Sequence, residues 1–289
     1  MFAMFVNYAI IKLYQQKGFN MKKLILAIAL MLSFNTIATE ANHIEMATKN
    51  ATFINTNEGN GAGFMIKNTN LMITNKHVVS FKSKYINIIN SDGKAFNGMY
   101  RWHSDKYDIA LVEIFGKDDN LKTNNTDIRF KGGLDLCNTS TDLKIAEKIY
   151  GIGSPAGQRH VYREGYINSL PSFNEWAGYK VIQYQEYTGA GTSGSAIIRV
   201  NGDCVLGVNF AGLLNYDMGF AIPVEQLKEV LVEWEAVKHY SKEERVKYRF
   251  QEELRKLEKI SDKLNGRLKV IKDRINGLDI KIALKANNK

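Results

Sequence analysis

From about residue 50 to residue 223 the apolar positions come in short bursts. Runs such as "GFMIKN", "LMITN", "YINIIN", "DIALVEI", "KIYGIG", "KVIQYQE", "AIIRV" and "CVLGVNF" are rich in β-branched side chains and separated by Gly, Asn, Asp or Ser clusters. Short runs between turn residues predict strands. "SDG" at 91–93 and "NGD" at 201–203 have the composition of hairpin turns. No ten-residue helical pattern interrupts the stretch, so the body reads as all-β, an antiparallel barrel or sandwich.

After Pro223 the period changes. Leu227, Val230, Leu231 and Trp234 fall at helical spacing and predict a helix that packs back on the body. Beyond it, Phe250, Leu257, Leu264, Ile271 and Leu278 recur every seventh residue, with Leu254, Ser261, Leu268, Ile275 and Ile282 in the alternating position. That stagger is a coiled-coil seam. Asn265-Gly266 and Asn276-Gly277 weaken a helix, yet the phase runs through both, which favours one continuous helix over a hairpin.

Charge divides along the same boundaries. The chain has 289 residues and a net charge of +9, but residues 239–289 hold 15 Lys+Arg against 8 Asp+Glu, and residues 1–38 hold 4 lysines and no acids. The middle carries 20 basic and 22 acidic residues. A body without net positive charge is a poor nucleic-acid binder, and no specific nucleic acid is expected as partner. The basic tail reads as a self-associating helix or as an attachment to an anionic partner.

Residues 21–41, "MKKLILAIALMLSFNTIATEA", have the three parts of an export signal: two lysines, an apolar run from Leu24 to Phe34, and a polar end with small residues. Cleavage is expected after Ala38 or Ala41, and the run is too short to span a bilayer. Residues 1–20 then read as an upstream mis-start, with Met21 the true initiator. The expected organisation is 1–20 mis-start, 21–41 signal peptide, 42–238 body and 239–289 basic helical tail, the mature chain periplasmic or secreted. Cys137 and Cys204 are an even count, which leaves open one disulfide or two buried thiols.

Three blocks carry candidate chemistry. His77 follows a strand ending in Thr74-Asn75, Asp108 opens the strand "DIALVEI", and Ser193 lies in "GAGTSGSA". A serine hydroxyl needs a base to take its proton, and a carboxylate to fix the tautomer of that base. Small residues around the serine let backbone N–H groups face a substrate carbonyl. His43, His103, His160 and His239 stand singly, outside any metal-ligand spacing, and neither metal nor organic cofactor is expected.

Taken together, "GAGFMI…ITNKHVV", "DIALVEI", "YGIGSPAGQ…VYREGYINSL", "GTSGSAII…NGDCVLGVN" and "GFAIPVEQLKEVL" resemble, in order, the blocks of trypsin-like serine proteases of the bacterial Deg/HtrA and V8-like kind. The resemblance spans about residues 50–235. It implies a double six-stranded antiparallel β-barrel with a closing helix and the site between the barrels. His77 would be the general base, Asp108 its orienter and Ser193 the nucleophile. Gly191 and Ser193 would supply the oxyanion N–H groups. The stretch Asn209, Phe210, Ala211 and Gly212 would pair with the substrate backbone, and Tyr187 and Thr188 would wall an uncharged specificity pocket.

The departures are informative. Thr192 stands where trypsin has an activating acid, Asn209 where V8-like enzymes have a histidine, and the basic tail where most HtrA proteins carry a PDZ domain. A non-catalytic member of the fold, used as a binding or scaffold module, is the alternative.

Overall fold

The computed structural model describes residues 42–56, 59–79, 86–115, 132–186, 188–200 and 203–286. The export signal read at 21–41, the start at Met21 and the pocket residue Tyr187 lie outside them. Residues 42–50 form a helix, α1, which the strand pattern gave no reason to expect.

The first barrel is built from β1 (Ala51–Thr56), β2 (Gly59–Met65), β3 (Leu71–Thr74), β4 (Ile86–Asn90), β5 (Ala95–His103) and β6 (Ala110–Phe115). They close in the order β1-β2-β3-β6-β5-β4. The alternation of the sequence decides which residues face inward. Ile54, Met65, Met72, Ile88, Val112 and Ile114 converge in one cluster. The "SDG" turn joins β4 to β5, with Gly93 at φ +77°.

The second barrel follows β7 (Asp135–Leu136). Its strands are β8 (Lys148–Gly153), β9 (Val161–Asn174), β10 (Tyr179–Gln185), β11 (Ala196–Arg199), β12 (Cys204–Leu213) and β13 (Met218–Pro223). The order β11-β8-β9-β10-β13-β12 is closed by pairing of β11 with β12, and Ile149, Ile167, Ile182, Tyr184, Ile197 and Leu206 fill it. The body is therefore two closed six-stranded antiparallel barrels. β7 adds a short parallel pairing to the start of β12. Beside that pairing Cys137 is disulfide-bonded to Cys204, 67 residues away.

Pro223 stops β13 because a proline cannot donate to the ladder, and α2 (Val224–Val237) starts at once. Glu225 in its first turn accepts from the Ser140 N–H and hydroxyl and from the Thr139 hydroxyl. Lys228 Nζ donates to the carbonyls of Cys137 and Asn138. Leu227 and Val230 are fully buried.

The chain divides into two compact units between Val230 and Leu231, inside α2. In the second unit, α3 (Lys242–Ala286) is one continuous 45-residue helix. Ser241 caps it: its hydroxyl accepts from the Glu244 N–H, and Glu244 accepts in return from the Ser241 N–H. Arg245 reaches back to the Val237 and Lys238 carbonyls at the end of α2. Among the described residues, no helix is long and apolar enough to cross a membrane.

Candidate functional site

The first barrel brings His77 and Asp108 together by register. β3 and β6 are antiparallel with Thr74 opposite Ala110, so the residues after Thr74 lie beside those before Ala110. Asn75 is buried and its side-chain amide donates to the Asp108 carbonyl at 2.7 Å. The following turn is closed by the Val78 N–H on the Asn75 carbonyl. His77 is thereby presented to Asp108 twice. Its backbone N–H donates to Asp108 Oδ1 at 3.1 Å, and its Nδ1 lies 2.5 Å from Asp108 Oδ2.

On the other side Asp108 is held between Tyr107 and Ile109, both buried. The Ser104 hydroxyl accepts from the N–H groups of Lys106 and Tyr107, and the Tyr107 hydroxyl donates to Glu229. Tyr179 packs edge-on against Tyr107. Burial first, and the Asp108 carboxylate second, push the Tyr179 phenol up to about 12, so it stays protonated.

Ser193 sits in the loop before β11, and that loop is wedged against the first barrel. The Ala62 N–H donates to the Ser193 carbonyl at 2.8 Å. Gly194, at φ +88°, lies so close to β2 and β3 that a Cβ there would fall 2.2 Å from the Ala62 carbonyl and 2.5 Å from the Thr74 hydroxyl. A side chain at 194 would push the serine away from the end of β3, where His77 begins. Gly191 has φ +97°, the left-handed region that favours glycine.

The donors of this loop divide into two sets. The N–H groups of Thr192, Gly194 and Ser195 are used by the carbonyls of Gly189, Asn209 and Thr192. Those of Gly191 and Ser193 donate to no described residue. Two N–H groups on either side of one peptide unit are thus left for an outside acceptor. No hydrogen bond joins the Ser193 hydroxyl to the His77 imidazole, a contact that often tightens only around substrate.

Thr192, beside Ser193, is tied to its own loop and to β12. It is buried, its hydroxyl donates to the Gly189 carbonyl at 2.8 Å, and it accepts from Asn209 Nδ2 at 3.0 Å. Asn209 Nδ2 also donates to the Thr192 carbonyl at 2.9 Å, while Asn209 Oδ1 accepts from the buried Tyr184 hydroxyl at 2.7 Å.

This corrects one expectation. Asn209 was expected to pair with substrate alongside Phe210, Ala211 and Gly212. Its N–H instead donates to the Ser195 carbonyl and its carbonyl accepts from the Gly194 N–H, so its backbone groups and Nδ2 serve the loop that carries Ser193, while Oδ1 takes the Tyr184 hydroxyl. The rest of the stretch differs. β11 pairs with β12 only as far as Val208, leaving the same edge beyond it without a strand neighbour among the described strands. Phe210 is skipped by the ladder to β13, and its ring lies under the exposed Trp176 at 5.8 Å. Thr188 is buried and abuts Gly212, where a Cβ would fall 1.9 Å from the Thr188 hydroxyl. Thr188, expected in the pocket wall, therefore touches Gly212, expected to pair with the substrate backbone.

One pair escaped the sequence reading. Arg163 on β9 and Glu186 after β10 form an ion pair at 2.8 Å inside the second barrel, side chains 6% and 0% exposed. Arg163 also reaches the Ser195 hydroxyl at 3.5 Å. Burial pushes the Glu186 carboxyl up to about 7 against the pull of Arg163. Through the Ser195 hydroxyl the pair underlies the loop that carries Ser193.

A family model described as a trypsin-like peptidase domain matches residues 61–208. Among curated proteins, a putative serine protease HhoA from Synechocystis is 29% identical over 178 residues, 60% of this chain and 42% of that protein. Serine protease HTRA1B from Danio rerio is 26% identical over 202 residues, 68% of this chain and 39% of that protein. The chain thus matches less than half the length of these relatives. Among solved structures, the HtrA-type protease AlgW with a tripeptide has a TM-score of 0.57 at 21% identity, covering 68% of this chain and 63% of that one. An inactive form of Rv3671c from M. tuberculosis has a TM-score of 0.54 at 19% identity, covering 69% and 93%. With the family model matching more than half of its residues across both barrels, the chain belongs to the trypsin-like peptidase family.

Proposed function

We propose that the chain is a serine endopeptidase that cleaves peptide bonds through an acyl-enzyme. The observation that carries this reading is the pairing of His77 with Asp108 beside a loop that leaves the N–H groups of Gly191 and Ser193 open. His77 takes the Ser193 proton as the hydroxyl oxygen attacks the peptide carbonyl. Asp108, bonded to Nδ1, fixes the tautomer and stabilises the imidazolium. The open N–H groups hold the negative oxygen of the tetrahedral intermediate. Collapse passes the proton from His77 to the leaving amine, and water activated by the same imidazole then hydrolyses the ester. Substrate is a protein or peptide lying as an added strand along the free edge of β12, with a small uncharged side chain in the pocket pinched by Thr188 and Gly212.

Action outside the cytoplasm is part of the proposal, supported by the leader pattern of 21–41 and the Cys137–Cys204 disulfide. The tail helix is proposed as an association element, through self-pairing or an anionic partner. The open contact between Ser193 and His77 favours a second reading, a non-catalytic module of the same fold. Cleavage of a denatured protein by the wild-type chain, but not by His77→Ala, is the result expected of a peptidase. Equal cleavage by both, or by neither at high enzyme concentration, leaves the second reading standing.

A further inference from the structure

α3 carries an exposed apolar seam. Phe250, Leu254, Leu257, Leu264, Leu268 and Ile271 are each 49–68% exposed, all on the seven-residue repeat. The 4–3 spacing assigns Phe250, Leu257, Leu264 and Ile271 to d positions and Leu254, Ser261 and Leu268 to a positions.

Charge on the flanks of this seam selects the occupant. The g positions are Glu253, Ile260, Arg267 and Arg274, and the e positions are Gln251, Glu258, Asn265, Lys272 and Asp279. Between Phe250 and Ile275 acid lies at the N-terminal end of both flanks and base at the C-terminal end. In a parallel pair Glu253 would face Glu258 and Arg267 would face Lys272, two repulsions against one attraction, Arg274 with Asp279. An antiparallel pair sets a against d across the seam, Leu254 on Ile271 and Leu268 on Leu257. It brings g against g and e against e. Glu253 then meets Arg274, with Arg267 at the next g position, while Gln251 meets Lys272 and Glu258 meets Asn265. No like-charged pair remains. A helix lying on an anionic surface would instead carry bases along its whole length, and Glu253 and Glu258 border this seam.

We propose that the seam of α3 is occupied by the same helix of a second copy, running antiparallel. This rests on the association role proposed above and deepens it. The overlap from Phe250 to Ile275 is about 40 Å long and sets the two helix N-termini at opposite ends.

The test uses full-length chains in a Ser193→Ala background, which prevents self-cleavage. Leu254→Cys and Ile271→Cys chains, one tagged, are mixed and oxidised. An antiparallel pair crosslinks the two different chains, whereas two copies of Leu254→Cys stay about 25 Å apart along the axis and do not join. Glu253→Lys, read by sedimentation, raises the dimer dissociation constant roughly tenfold in the antiparallel pair and lowers it in a parallel one. Crosslinking of Leu254→Cys to itself overturns the antiparallel assignment and spares the association role. A monomer at every concentration overturns both. Association only on vesicles of phosphatidylglycerol overturns the second copy in favour of an anionic surface.

Discussion

Replacing Asn209 by leucine tests whether its amide holds the nucleophile loop in shape. Leucine has a similar volume but no polar atoms. The change removes three hydrogen bonds and leaves the buried Tyr184 hydroxyl without its partner, whereas the Thr192 carbonyl keeps the Ser195 N–H. The unpaired hydroxyl costs about 1–3 kcal/mol and the lost bonds to Thr192 about 1 kcal/mol more, roughly 2–4 kcal/mol in all. A typical domain has about 5–15 kcal/mol to lose, so the variant folds, with a melting temperature roughly 5–15 °C lower. Catalysis suffers separately, because Thr192 lies between the Gly191 and Ser193 N–H groups. Losing one oxyanion donor costs about 100- to 1000-fold, and a loop that is loosened but not removed should lose roughly 10- to 100-fold in kcat. KM should change little, since Asn209 has no group left for substrate. The assay is steady-state cleavage of a fluorogenic peptide well below the variant's melting temperature. A folded variant that keeps wild-type kcat refutes the reasoning.

Glu186→Ala removes both oxygens that face the buried Arg163 guanidinium and should cost about 3–5 kcal/mol, read as a drop in melting temperature. The same carboxyl predicts a pH trend. Its folded value is raised to about 7, so the folded chain holds the proton more tightly than the unfolded one. Stability should therefore fall as pH rises from the ordinary glutamate range through about 7. Melting curves across that window should slope for the wild type and flatten in Glu186→Gln; Arg163 and Tyr184 are the charged and titratable side chains that bear on the group. Gly212→Ala places a Cβ against the Thr188 hydroxyl, an overpacking worth about 1–3 kcal/mol. It should act mainly on KM, with rescue by Thr188→Gly; an unchanged KM contradicts the pinched pocket. Cys204→Ser releases a link across 67 residues and should cost about 4 kcal/mol, seen as an earlier urea midpoint.

The barrels were legible because their strands are short β-branched runs set between turn residues, and Ile54, Ile88 and Val112 from such runs are fully buried. The length of β9 was not. Pro171 interrupts its pattern, and the exposed Leu170 and Phe173 on either side of it give no inward signal. His77, Asp108 and Ser193 were visible because each sits in a local motif whose residues shape its own backbone. The Arg163–Glu186 pair hid because a charged residue in a strand reads as solvent-facing. The signal was present nonetheless: Arg163 shares its phase with Gly165 and Ile167, and Glu186 with Ile182 and Tyr184, all buried. Asn209 was misread because its position in the strand says nothing about which neighbour takes its N–H and carbonyl.

The central claim is that Ser193 is a nucleophile activated by His77. A fluorophosphonate probe reads this directly, because it forms a stable bond only with an activated serine. The account predicts one adduct per chain, mapped to Ser193 by mass spectrometry, absent in Ser193→Ala and strongly slowed in His77→Ala. Equal labelling of the wild type and Ser193→Ala, or no labelling of either, would contradict it.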